Sequence, residues 1–198
     1  MLLTHDLKMD AGIMPTGKTA TPTTVTRQEL LVGGKDAEFR DLLSDIFAFS
    51  QRLQEARERF ARFIGLSAAQ YMILIALDRF SHDGEAGINQ IAAHLRYSGA
   101  FVTIEVNGLV KAGLVTKEPH LTDGRRVVLH ITALGLEKIK RLAELQRPVN
   151  DALFETLSAG DFAALRHLMQ GLAENSGRAI KLATYLEETL ADIGPNAE

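Results

Sequence analysis

The chain has 198 residues, 46% hydrophobic and 24% charged, with a formal net charge of −3. That balance suits one generous globular domain or two small ones sharing a core. The lack of cysteine excludes disulfides, thiolate metal sites and thiol-based redox triggers.

No apolar run approaches the roughly 18–20 residues of a membrane helix. The N-terminus lacks the apolar block and cleavage site of a secretory signal. The expected location is therefore the cytoplasm, with no membrane partner.

Residues 1–35 are rich in Thr and Gly without apolar periodicity, which predicts a flexible tail with a short helical turn near its end. From Asp36 to Ile64, Phe39, Leu42, Leu43, Ile46, Phe49, Leu53, Phe60 and Phe63 recur at helical spacing, so a long amphipathic helix is expected before Gly65. Ser67 and Gln70 form a capping box, with Leu66 and Tyr71 as its hydrophobic staple. The next helix then runs from 68 to about Phe80, and Ser81 to Glu85 read as a loop. Ile88, Ile91, Ala92 and Leu95 mark a short helix.

Arg96-Tyr97-Ser98 makes a turn, and Ser98 can cap the following helix. There Val102, Val106, Leu109, Val110 and Gly113 are expected to form one buried stripe. Ala100, Ile104, Asn107, Gly108 and Lys111 lie opposite, with Thr103 on the flank. Gly113 suits the left-handed position that ends a helix.

Leu114 to Glu118 and Arg126 to Ile131 read as strands joined by a turn at Asp123-Gly124. In the second strand Val127, Leu129 and Ile131 alternate with Arg126, Val128 and His130. Thr132 can cap a helix over 133–147, which Pro148 should kink or restart. Ser158 and Asp161 repeat the capping-box signature, with Leu157 and Phe162 as its staple. The last helix is expected from 159 towards Leu190, with a possible break near Asn175-Ser176-Gly177.

A short helix pair followed by a hairpin with arginines at its tip suits insertion into DNA grooves. The overall charge is unfavourable for this, but distant charges are screened beyond about 8 Å at physiological salt. Between Lys111 and Arg126 the cations Lys111, Lys117, Arg125 and Arg126 face only Glu118 and Asp123, with Arg96 nearby. No Gly-rich phosphate loop, nucleophile elbow or framed carboxylate pair points to an enzyme. His82, His94, His120, His130 and His167 show no metal-ligand spacing, so neither metal nor cofactor is expected.

Three motifs in order resemble the MarR family of winged-helix transcriptional regulators. They are LSAAQYMILIAL at 66–77; Ser98, Val102-Thr103, Val106, Leu109 and Gly113-Leu114-Val115; and Asp123-Gly124-Arg125 followed by Leu129-His130-Ile131-Thr132. The order and lengths of elements match over roughly 36–190.

The resemblance implies a mainly α fold with a small β-wing. The expected organisation is a flexible N-terminal tail at 1–35, dimerisation helices at 36–64 and 148–190, a winged helix-turn-helix DNA-binding lobe at 65–147, and a C-terminal tail at 191–198. It implies a homodimer on a pseudo-palindromic double-stranded operator, most often as a repressor, released by a small-molecule effector.

The resemblance implies that Arg125 enters the minor groove, with Asp123 orienting the wing. Arg126 and Lys117 are candidate phosphate contacts. Ser98, Ala100, Thr103, Ile104, Asn107 and Lys111 are candidates for the major groove and its flanks, and the small Gly99 and Ala100 allow close approach. Asn89 and Gln90 can meet phosphates at a helix start. Where many family members carry a basic residue after the Val-Thr pair, this chain has Ile104, which can pack on a thymine methyl.

The effector is expected along 47–75 with 133–147 nearby. Phe47, Phe60, Tyr71 and Met72 are candidate lining residues for an aromatic or amphipathic anion. Arg52, Arg57, Arg59 or Arg62 would offer the counter-charge. The alternative is a winged-helix dimer that binds another protein and not DNA.

Overall fold

The computed structural model describes residues 21–83, 86–120 and 126–192. The chain divides into two units, 1–55 and 56–198, with helix α1 (Ala37–Phe63) running across the boundary.

In the first unit, residues 21–35, which the sequence suggested as a tail with a short helical turn, make local hydrogen bonds. A 3-10 turn at Gln28–Leu30 leads to a tight reversal in which Val32 and Lys35 exchange backbone hydrogen bonds of 2.9 and 3.1 Å. Its central residues Gly33 and Gly34 have φ of 59° and 75°, the left-handed pair that a two-residue hairpin needs. Asp36 then ties the segment to the start of α1. Its Oδ2 accepts hydrogen bonds from the Thr24 amide and hydroxyl, both at 2.7 Å, and from Arg40 Nε at 2.9 Å. These donors, with the Thr24 amide foremost, hold the Asp36 carboxyl well below the usual carboxylate range.

The second unit holds α2 (Ala68–Asp83), β1 (Ala86–Gly87), α3 (Ile88–Leu95), α4 (Gly99–Lys111), β2 (Val115–Pro119), β3 (Val127–Ile131), α5 (Ala133–Leu153) and α6 (Ala159–Asp192). The strands form an antiparallel sheet in the order β1-β3-β2. β1, which the sequence did not suggest, pairs Ala86 with Leu129 and Gly87 with Val128. Val128 and Leu129 are both buried although they belong to alternate faces of the strand.

Two apolar clusters organise this unit. Ile73, Leu74 and Leu77 of α2 meet Ile91, Val102, Val106 and Leu109 of α3 and α4, closed by Leu114, Val115 and Leu129. Full burial of such a side chain contributes about 1.5–3 kcal/mol. Ala56, Phe60, Ala61 and Ile64 meet Tyr71 and Leu142 in the second cluster, with Leu145, Val149 and Leu153 of α5 packed against it.

Local signals set several boundaries. The Ser67 and Gln70 box is formed, with Gln70 N donating to Ser67 Oγ at 3.1 Å and Ser67 N to Gln70 Oε1 at 3.3 Å. Ser158 and Asp161 make the same reciprocal contacts. Thr132 Oγ1 accepts from the Gly135 amide at 3.1 Å and donates to the Gly113 carbonyl at 2.7 Å.

Three helix boundaries differ from expectation. α2 continues to Asp83, and the Ser81 hydroxyl donates back to Leu77 O. α5 passes through Pro148 without restarting, as its apolar side remains packed through Val149 and Leu153. α6 is unbroken over 34 residues, and Ser176 Oγ bonds Ala173 O inside the expected break. Among the described residues, no single helix is long and apolar enough to cross a membrane.

Candidate nucleic-acid interface

α3 and α4 are joined by Arg96, Tyr97 and Ser98. Arg96 takes the left-handed conformation with φ of 58°, and its amide and that of Tyr97 both donate to Ala92 O. Ser98 Oγ caps α4 by accepting from Phe101 N at 3.1 Å. Tyr97 and Phe101 meet edge to face with ring centroids 5.1 Å apart. Lys111 lies in the last turn of α4, where a cation complements the helix dipole, and Gly113 takes the left-handed position beyond it.

One side of α4 is core. Val102, Val106 and Leu109 are fully buried, whereas Val110 is 36% exposed and Gly113 lies outside the stripe. At 100° per residue, Val110 sits about 80° round from Val102, at the edge of the buried arc. Gly108 is also displaced from the expected outer face, because a Cβ there would meet Gln70 Nε2 of α2 at 2.7 Å.

The exposed side carries Ala100, Ile104, Asn107 and Lys111. Ile104 is 67% exposed, a large apolar side chain presented to solvent from a helix whose other face is packed. Thr103 is half-buried and its hydroxyl donates to Gly99 O at 2.8 Å. The Asn107 carbonyl oxygen accepts from Lys117 Nζ on β2.

Beside this face lies a cleft of about 250 Å³, lined by Gly87, Ile88, Asn89, Gln90, Thr103, Arg126 and Val127. Gly87 gives the start of α3 no side-chain cap. A helix start and an arginine at one cleft suit an anion. Asn89, Gln90, Thr103 and Arg126 are thus brought together, which sequence spacing alone did not reveal. Asp123 and Arg125 lie outside the described residues.

The carboxylates nearby have partners. Ser67 Oγ donates to Glu105 Oε2 at 3.5 Å, and Glu118 Oε2 lies 3.7 Å from His130 Nε2.

Of the candidate effector residues, Phe60 and Tyr71 are buried in the second apolar cluster, with Met72 packed against it. The two rings lie 6.2 Å apart, and Gln146 Nε2 donates to the Tyr71 hydroxyl at 3.1 Å. Burial raises the Tyr71 phenol above its usual value, opposed by the Arg57 charge and the Gln146 bond. Phe47 belongs to the first unit and is exposed. Arg52 is paired with Glu55 at 2.9 Å, and Arg62 lies 3.8 Å from Glu58. No group of three or more His, Asp or Glu residues suited to a metal occurs among the described residues.

Residues 64–126 match the MarR family model. The HTH-type transcriptional repressor IacR of Pseudomonas putida is 27% identical over 124 residues, 63% of this chain and 72% of that protein. The fold is similar to that of a mutant MarR from E. coli complexed with operator DNA, with a TM-score of 0.56 and 19% identity over 68% of this chain and 95% of that one. It is also similar to the PcaV transcriptional regulator from Streptomyces coelicolor in complex with its natural ligand. There the TM-score is 0.51, with 23% identity over 64% of this chain and 90% of that one.

Proposed function

We propose, from the match of residues 64–126 to the MarR family model, that the protein is a homodimeric, sequence-specific DNA-binding transcriptional repressor released from its operator by a small ligand. The observation that carries this reading is the exposed face of α4 beside the cleft that holds Arg126 and the uncapped start of α3. α4 enters the major groove with Ser98, Ala100, Thr103, Ile104, Asn107 and Lys111. Asn89, Gln90 and Arg126 hold the backbone, and Arg125, oriented by Asp123, reaches the minor groove. Phosphate contacts fix the register while base edges supply specificity.

In this reading the lobe is 65–147, and the helices at 36–64 and 148–190 pair with those of a second copy. The exposed apolar residues of α1 and α6 support it, since Leu42, Phe47, Leu168, Leu172 and Tyr185 need cover. The ligand is an aromatic or amphipathic anion bound near Phe60, Tyr71 and Met72, with Arg57 as its counter-charge. It acts by altering the separation of the two α4 helices, which must match half-sites about 34–36 Å apart. Effector and DNA then weaken each other by the same factor.

A second reading, a protein-binding dimer that ignores DNA, is favoured by exposed Ile104 and the net charge of −3. A gel shift at low salt with duplex from upstream of the chain's own coding sequence separates the two. Binding that is lost in a folded Arg125→Ala variant is the expected result. Absence of binding by the wild type overturns the DNA reading. A thermal-shift screen of aromatic acids tests the ligand.

A further inference from the structure

Asn107 is the amide side chain on the exposed face of α4, and it is not free. Lys117 Nζ, reaching from β2, donates to its carbonyl oxygen. A lysine ammonium has donors only, so its contact must take the carbonyl end of the amide. The NH2 end is left as the available end. An unpaired asparagine reads adenine by accepting from N6 and donating to N7. With one of its two acceptor lone pairs engaged by a cation that repels a second N–H donor, Asn107 is biased towards donating.

We infer that Lys117 is a positioning residue that converts Asn107 from an adenine reader into a guanine reader, through the Lys117 and Asn107 hydrogen bond between β2 and α4. This rests on the proposed DNA-binding role of α4 and names the base that one of its residues recognises. Guanine offers two major-groove acceptors, N7 and O6, which suit the two amide hydrogens. Thymine offers one acceptor beside a methyl group, and cytosine offers a donor, which the amide hydrogens cannot meet. The unused ammonium hydrogens of Lys117 add donors and positive charge on the same side. Neighbouring Ile104 has no polar atom to compete for these acceptors.

The test is selection of bound duplexes from a randomised DNA library by the full-length protein, its Asn107→Ala variant and its Lys117→Met variant. Melting temperature and circular dichroism check that each variant is folded. The wild type should enrich a motif with a guanine position in each half-site, and Asn107→Ala should lose that preference. Lys117→Met should lower the guanine-over-adenine preference there by about ten-fold, within the range of a bidentate base contact.

An adenine at the Asn107-dependent position of the wild-type motif overturns the inference. So does undiminished guanine preference in Lys117→Met, or an Asn107→Ala motif identical to the wild type. Those results leave the DNA-binding reading standing. A library from which the wild type enriches nothing overturns both. Base preference is the deciding readout because a merely structural lysine would change affinity without changing the preferred base.

Discussion

Gly135 lies so close to the backbone of Leu114 that a Cβ on it would stand 2.4 Å from the Leu114 carbonyl oxygen. The same Cβ would approach Ile131 Cγ2 to 2.6 Å. That carbonyl already accepts the Thr132 amide at 3.0 Å, so it has little room to withdraw. The first turn of α5 packs here on the entry to β2 only because residue 135 has no side chain.

Gly135→Ala is therefore expected to destabilise the fold. Helix propensity favours alanine by about 1 kcal/mol, but overpacking a core typically costs about 1–3 kcal/mol. A backbone oxygen cannot turn aside as a rotamer can, so the steric cost should win. Gly177→Ala in α6 meets nothing within 4 Å and should raise stability by about 0.5–1 kcal/mol. Denaturant unfolding of the two variants tests the opposite signs.

Asp36 gives the N-terminal segment a pH dependence. Its folded pKa is depressed by the Thr24 donors and Arg40, so the ionised form is the one that holds the segment. The contribution is complete above the unfolded aspartate value of about 3.9 and is lost as pH falls through the folded value. Asp36→Ala should remove it at every pH. Limited proteolysis at neutral pH should then cut within 21–35 faster than in the wild type.

Arg126 is expected to meet phosphate and not base. Arg126→Ala should weaken binding evenly across sequences and reduce the slope of log K against log salt by about one per subunit. An Arg126→Ala variant with an unchanged salt slope and a changed preferred base would reverse that assignment.

Leu168 and Leu172 lie one turn apart on α6, more than half exposed in the single chain. If they are centres of a dimer interface, Leu168→Glu places a charge in it. Losing one central contact of about 2 kcal/mol corresponds to roughly a 30-fold weaker dimer. Sedimentation should show dissociation at concentrations where the wild type remains paired, and operator affinity should fall with it.

The features legible in the sequence are those decided within a few residues. Ser67 with Gln70, Ser98, Thr132, and Ser158 with Asp161 each act on backbone one turn away, so type and spacing were sufficient. The stripe of Val102, Val106 and Leu109 followed from periodicity for the same reason. β1 was not legible, because two residues carry no pattern and Ala86 and Gly87 become a strand only through their partners Leu129 and Val128. Pro148 does not restart the helix, because local propensity is a weak prior when Val149 and Leu153 keep the helix packed. The contact of Thr24 with Asp36 was not legible because the two lie twelve residues apart with no pattern linking them.

The candidate interface divides in the same way. Ala100, Ile104, Asn107 and Lys111 share one side of one helix, so their spacing brought them together, and Ser98 caps the start of that helix. Arg126 joined Asn89 and Gln90 only through the path of β3 beside α3. The engagement of Asn107 by Lys117 required β2 to return past α4, which no pattern in α4 encodes.

The Thr132 hydroxyl serves two masters at once, the closing carbonyl of Gly113 and the opening amide of Gly135. Neither the tail of α4 nor the head of α5 can fray without releasing the same oxygen. Amide hydrogens in these two stretches should consequently trade with deuterated solvent in step, as one opening event.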